Sequence, residues 1–303
     1  MDKIFISKKI DEVIKTLIEL KNSINYDSDS TEKIISNFKL ITSEQHGDFE
    51  DLKELLLSDK WPAAVNPNLI CDPSSEIDKK ERGIGIVELL VEDFLSSDDN
   101  FLDYGCGEGH CAAAALSALG CKLSVGYDIK KFNWTITDNT TFTSSYEEVK
   151  SLGPYKAILI FDVLDHSVED TPVELLTKAA NLLDTDGKIY LRCHPWISRH
   201  GTHLYHFLNK AYAHLVFTDE ELTKLSDHIS ESNLNVSFPL KTYEEMFEDS
   251  NLKIINERKI IEKVEPFFKI PKINERIIRN TKHKQFPEFQ MGLSFIDYVL
   301  RKK

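Results

Sequence analysis

The chain has 303 residues, a hydrophobic fraction of 41% including 17 Phe and 10 Tyr, and a formal net charge of −13. That length suits one large domain, or one domain with a smaller appendage, and the apolar share is ample for a packed core. So acidic a body repels a polyphosphate backbone at long range, which counts against bulk nucleic-acid binding.

Residues 1–75 read as a helical extension or cap. Ile10, Val13, Ile14, Leu17 and Ile18 fall on one face at 3.6-residue spacing, Ile34, Ile35 and Phe38 follow, then Phe49, Leu52, Leu55 and Leu56. Each stripe is too short to stand alone, so a partner surface is expected. Residues 76–303 change character. A helix carrying Ile84, Val87, Leu90, Val91 and Phe94 leads into the short apolar runs NFLDY, KLSVGYD, KAILIFD and GKIYLRC, interleaved with the helical stretches HCAAAALSAL and PVELLTKAANLL. Such alternation marks βαβ units and a parallel sheet. TYEEMFEDSNLKIINERKI then reads as helix and strand, and MGLSFIDYVLRK as a further strand. The predicted class is α/β, doubly wound.

The most informative stretch is FLDYGCGEGHCAAAALSALGCKLSVGYD. A strand ends at Asp103-Tyr104, Gly105, Gly107 and Gly109 alternate around Cys106, and an alanine-rich helix follows. Glycines let the backbone turn sharply and approach a ligand that side chains would block. The helix N-terminus adds unsatisfied N–H groups. A second strand ends at Asp128, placed to accept both ribose hydroxyls of an adenosine. A dinucleotide loop reads G-x-G-x-x-G, whereas this one reads D-x-G-x-G-x-G and carries Glu108, a charge out of place beside a pyrophosphate. The alternative is a glycine-rich turn in an ordinary α/β fold.

This loop resembles motif I of class I S-adenosylmethionine (SAM)-dependent methyltransferases. FDVLDH, with Asp162, Val163, Leu164, Asp165 and His166, is similar to the family's fourth-strand motif, D-V-L-E-H, with Asp165 replacing the usual Glu. AANLLDTDGKIYLRCHP resembles its fifth-strand turn, keeping Gly187. The resemblance implies a Rossmann-like seven-stranded sheet, mostly parallel with one antiparallel strand near the C-terminus. It implies SAM as cofactor, held by Asp103, Tyr104, Gly105, Cys106, Gly107, Gly109 and Asp128. Ile129 and Ser144 would lie near the adenine, and Phe161 and Asp162 would face the methionine end.

The candidate bases are His166, at the carboxyl edge of the sheet, and His194, which opens CHPWISRHGTHLYHFLNKAYAHL. That segment holds five of the ten histidines, with Trp196, Arg199, Tyr205 and Tyr212, and follows the fifth strand, where the family builds its acceptor pocket. Neutral histidines near pH 7 can accept protons. His200, His203 and His206 have helical spacing, but Gly201 interrupts the helix and no carboxylate follows, so no metal is expected there.

DVLDH with FTDEEL looks most like the group that methylates small metabolites, as in quinone biosynthesis, and an oxygen or nitrogen of a small molecule is the expected acceptor. Two alternatives stay open. Asp162, Asp165, His166 and a later histidine such as His214 loosely resemble the metal-binding set of RNA 2′-O-methyltransferases, with shorter acidic arms. Residues 253–303 carry 13 Lys and Arg against 6 Asp and Glu, a basic segment that an RNA partner could use. A catalytically inactive SAM-fold partner protein is the third reading. No apolar run approaches the ~18 residues of a membrane span. The first fifteen residues are charged throughout, unlike a secretory signal, and five cysteines without a CxxC pair fit a reducing cytoplasm.

Overall fold

The computed structural model describes residues 49–65, 76–134, 139–166, 170–201, 204–226, 228–229, 238–262, 270–281 and 291–303. The expected stripes at Ile10–Ile18 and Ile34–Phe38, and His203, lie outside them. Among the described residues, β1 (Asn100–Tyr104), β2 (Leu123–Tyr127), β3 (Thr140–Thr143), β4 (Tyr155–Phe161), β5 (Leu183–Cys193), β6 (Leu252–Ile261) and β7 (Leu293–Lys302) form one seven-stranded sheet. Its order is β3-β2-β1-β4-β5-β7-β6. Strands β1 to β5 pair in parallel, and β7 runs antiparallel to both β5 and β6. This is the expected methyltransferase-type sheet.

Helices α1 (Phe49–Leu57), α2 (Glu76–Leu90), α3 (His110–Leu119), α4 (Tyr146–Leu152), α5 (Pro172–Leu182), α6 (Ala213–Val216), α7 (Asp219–Thr223), α8 (Leu240–Asp249) and α9 (Pro271–Thr281) complete the fold. Local chemistry sets several of their limits. Thr171 and Glu174 form a capping box at α5, with Pro172 in its first turn. Gly109 and Gly120 close the two ends of α3 in left-handed conformations. The apolar run of β4 is buried because helices cover both faces of a central parallel strand. Gly187 supplies the turn before the main run of β5, where a Cβ would stand 2.7 Å from the Tyr155 carbonyl.

One expectation at α2 is corrected. The helix stops at Leu90, and Phe94, expected on its buried face, is 93% exposed. Asp93 is held by Lys188 and the Tyr190 hydroxyl on β5, which turns the chain so that its neighbour faces outward.

Two apolar clusters sandwich the sheet, centred on Ile158 and Leu191 and on Leu159 and Tyr190. A third lies apart from it. Leu52 and Leu56 of α1, with Trp61, pack against Leu215 and Phe217 around α6 and Ile273 of α9. Trp61 Nε1 donates to the Ala211 carbonyl at 2.8 Å, and the Asn209 amide bonds both the N–H and the C=O of Val65, at 2.9 and 3.0 Å. Residues 49–65 are therefore one of three chain segments that share a cap, the others following β5 and β6.

The chain runs outward from β1 to β3, then crosses back to put β4 on the other side of β1. Open α/β sheets bind ligands where the strand order reverses, in the crevice at the carboxyl ends.

Candidate active site

At that crevice the glycine loop leaves β1. Gly105 has φ +82°, and a Cβ there would come within 2.5 Å of a Val163 methyl. Its N–H and that of Cys106 both donate to the Tyr127 carbonyl, at 2.7 and 2.9 Å, folding the loop back over β2. Gly107, at φ +51°, has open space where a Cβ would stand. Its N–H donates to Asp128 Oδ2 at 2.9 Å, and the Trp134 indole donates to its carbonyl at 2.8 Å. Gly109, at φ +85°, faces the edge of the Phe142 ring. Glu108 points away from the crevice toward α2, pairing with Lys79 at 2.8 Å and lying 3.2 Å from His110.

Asp103 sits beneath the loop rather than in it. Its carboxylate accepts the Ala112 N–H at 3.1 Å and so anchors the first turn of α3. Burial pushes this carboxyl up to about 7; the Ala112 hydrogen bond opposes the rise and the nearby Asp128 charge adds to it. Asp128 spends its other oxygen on the Lys130 N–H at 2.9 Å. A carboxylate oxygen has a second lone pair, so both oxygens can still accept from a ligand.

A cavity of about 220 Å³ opens beside the loop, lined by Tyr104, Gly105, Asp128, Ile129, Asp162 and His166 from the expected set. Tyr127, Lys130, Phe132, Val163 and Asp170 also line it. Asp103, Cys106, Gly107 and Gly109 support the loop behind this lining, and half-buried Ser144, past the end of β3, does not reach it.

A second cavity, about 660 Å³, lies between the sheet and the cap. Phe161, Arg192 and His194 form its floor; Ala63–Val65, Arg199, His200 and Tyr205 come from the cap, and Arg82, Glu262 and Phe295 complete it. Asp162 lines both cavities. It holds φ +55°, a left-handed conformation costly for a residue with a side chain. That turn at the end of β4 places its Oδ1 2.9 Å from His194 Nε2. His194 is buried, with its ring 4.6 Å from Phe295 and 5.2 Å from His200, centroid to centroid. Burial works against its charged form, but Asp162, by charge and contact, and Asp165 outweigh this and leave the imidazole pKa above its ordinary value.

The two expected bases thus stand apart. His166 is exposed on the first cavity, and His194 is buried on the second. His214 belongs to neither: its Nε2 donates to the Trp196 carbonyl at 2.7 Å inside the cap. Among the described residues no group of three or more His, Cys, Asp or Glu side chains has metal-holding geometry. Arg192, Phe295 and Asp170 escaped sequence reading, although Arg192 lies in the fifth-strand motif and Asp170 four positions past His166 of the fourth-strand motif.

The model of a family described as a methyltransferase domain matches residues 82–257, more than half of the chain. The chain belongs to this family. Among solved structures, the methyltransferase is similar to a Burkholderia thailandensis 1,6-didemethyltoxoflavin N1-methyltransferase with bound 1,6-didemethyltoxoflavin and S-adenosylhomocysteine. That match has 13% identity over 75% of this chain and 80% of that one, at a TM-score of 0.40. A SAM-dependent methyltransferase from Archaeoglobus fulgidus matches at 14% identity over 74% of this chain and 94% of that one, with a TM-score of 0.43. No curated protein matches the chain.

The methyltransferase is a class I enzyme, and its domain implies SAM as the cofactor. The site fits that group. Gly105, Gly107 and Gly109, at alternate positions, all take left-handed backbone, and Asp128 follows β2 beside them. The first cavity's lining sets Asp128 and Asp162 against Lys130, with Asp170 paired to Lys178 at 2.6 Å, and suits a cationic ligand. No helix among the described residues is long and apolar enough to cross a membrane.

Proposed function

We propose that the enzyme transfers the methyl group to an oxygen or nitrogen of a small molecule held in the second cavity, with His194 as the base. SAM supplies a methyl already activated on a sulfonium, so the protein's task is to align an acceptor, exclude water and remove a proton. The reading rests on Asp162, which lines both cavities and contacts His194 at their junction. Asp162 holds the ring through Nε2 and stabilises the imidazolium that forms when Nδ1 takes the acceptor's proton. The cap shields that exchange from bulk water.

A cavity of 660 Å³ is of small-molecule size. Part of the basic charge of 253–303 also favours this reading over an RNA acceptor. Among its described residues, Arg276 pairs with Glu221 and Lys303 with Glu248 outside the segment, and Arg258 and Lys259 with Asp297 and Glu257 inside it, so four of the thirteen basic residues are shared with the enzyme's own acids. His166 is the second candidate base, on the cofactor side.

Calorimetric titration with S-adenosylhomocysteine, followed by an acceptor screen with radiolabelled SAM in EDTA, tests the proposal. Micromolar binding and EDTA-resistant methylation of a small acceptor are expected. His194→Ala should lower turnover by roughly 10²–10⁴-fold with cofactor affinity unchanged. An unaffected His194→Ala beside a crippled His166→Ala would transfer the role to His166, and absence of cofactor binding would leave a fold without its chemistry.

A further inference from the structure

The two cavities that share Asp162 differ in their other charged residues. The first has Asp128, Lys130 and Asp170, the last paired with Lys178 at 2.6 Å. The second gathers Arg82, Arg192 and Arg199, and its two carboxylates are otherwise placed: Asp162 on His194, and Glu262 exposed at the mouth.

Arg192 is the most constrained of the three. Its Nε and Nη2 donate to the two Asp297 oxygens at 2.6 and 2.8 Å, a bidentate pair with both side chains almost fully buried. The guanidinium carbon lies 5.0 Å from the Phe295 ring centre and 5.7 Å from that of Phe161. Asp297 also takes Arg258 at 2.7 Å, so one carboxylate answers two guanidinium charges. With Nε and one N–H of Nη2 on Asp297, the donors left to Arg192 are both N–H groups of Nη1 and the second N–H of Nη2, and among the described residues Nη1 makes no hydrogen bond. A guanidinium fixed in this way offers a pre-oriented edge to an oxyanion. From the cap side, Arg199 is positioned by the Ala63 and Ala64 carbonyls, at 2.6 and 3.0 Å.

We infer that the acceptor carries an oxyanion, a carboxylate or a phosphate, bound against the Nη1 edge of Arg192 with Arg199 opposite, and that this pairing selects the substrate. The inference rests on the second cavity's being the acceptor site. It also gives the acceptor an orientation: its anionic end lies at Arg192, and the atom to be methylated lies toward His194 and Asp162, the wall shared with the cofactor cavity.

The test titrates the full-length protein, saturated with S-adenosylhomocysteine, with inorganic phosphate, with benzoate, and with benzamide as the uncharged match to benzoate. Wild type is compared with Arg192→Gln and Arg192→Lys; the lysine still meets Asp297 and preserves the fold, but has no second nitrogen for the cavity. Millimolar or tighter binding of phosphate or benzoate is expected, with benzamide at least tenfold weaker than the favoured anion. The anion that binds better identifies the headgroup. Both variants should weaken it tenfold or more while keeping cofactor affinity within twofold. Failure of both anions to bind wild type, benzamide binding equal to benzoate, or variants that bind like wild type would overturn the inference and leave the methyltransferase proposal standing. Loss of cofactor affinity in the variants with anion binding intact would assign Arg192 to the cofactor, and overturn it also. If S-adenosylhomocysteine itself fails to bind wild type, the acceptor reading falls first and takes the inference with it.

Discussion

Asp162 combines three constraints in one residue: a left-handed backbone, a place on both cavities and the contact with His194. Asparagine tolerates that backbone region as well as aspartate does, so Asp162→Asn removes the charge with little change in strain. Turnover should rise with pH through the His194 ionisation, which Asp162 holds above the ordinary value. In Asp162→Asn this limb moves to lower pH and the plateau falls, because the imidazole becomes a weaker base. A pH–rate profile of the two proteins checks both effects, and a limb that stays in place would remove His194 from the proton transfer. Asp103 makes a separate prediction. Its carboxyl rises from an ordinary 3.8 to about 7 on folding, so the folded state keeps the proton that the unfolded chain releases. This contribution is full below about pH 4 and is lost as pH climbs to 7, on the order of 4 kcal/mol for the group. Urea midpoints across that window should fall less steeply with pH in Asp103→Asn. Gly105→Val is the harshest change of this kind, combining φ +82° with a clash against Val163, and is expected to abolish cofactor binding.

At the scale of elements, local patterns were legible and distant meetings were not. β1, the glycine loop, α3 and β2 lie within 28 consecutive residues, 100–127, and each boundary carries its own signal: a strand of apolar residues, alternating glycines, a run of alanines. His194 could be singled out because it follows the fifth strand, but its contact with Asp162 joins two strand ends and has no local signature. Arg192 and Asp297 are 105 positions apart, and Trp61 and the Ala211 carbonyl 150. Nothing in periodicity announces such pairs. The end of α2 was misjudged for a similar reason, since Asp93 answers to side chains on β5. The cap's tie through Trp61 yields a prediction. Trp61→Ala leaves a large hole and an unanswered carbonyl, at a cost of roughly 3–5 kcal/mol. The loss should fall on the cap, seen as faster hydrogen exchange in 204–217 and a raised acceptor KM, with S-adenosylhomocysteine affinity held within about twofold. Equal loosening of β1 and β4 would show that cap and sheet are one cooperative unit.

For the whole molecule, the net charge of −13 acts on donor and product unequally. SAM carries a sulfonium charge that S-adenosylhomocysteine lacks, so the protein's field attracts the donor more strongly than the product. Raising ionic strength shortens that field from a screening length of ~30 Å at 0.01 M to ~8 Å at 0.15 M. The ratio of product to donor dissociation constants should therefore fall with salt, by a few-fold over this range. Competition titrations at the two ionic strengths read it directly, and a flat ratio would mean that only the cavity's own carboxylates sense the sulfonium.

The position of β7 has a consequence for biosynthesis. It sits between β5 and β6, so residues 293–302 must leave the ribosome before β6 has a neighbour in the sheet. The same strand carries Phe295 and Asp297, the ring and the carboxylate that fix Arg192. Strands β1 to β4 and the glycine loop are synthesised well before this and can pair as they emerge, since their contacts lie close along the chain. On the ribosome, the glycine-loop cavity can therefore assemble ahead of the cavity that Arg192 and Phe295 line, so the proposed acceptor site is the last part to be completed.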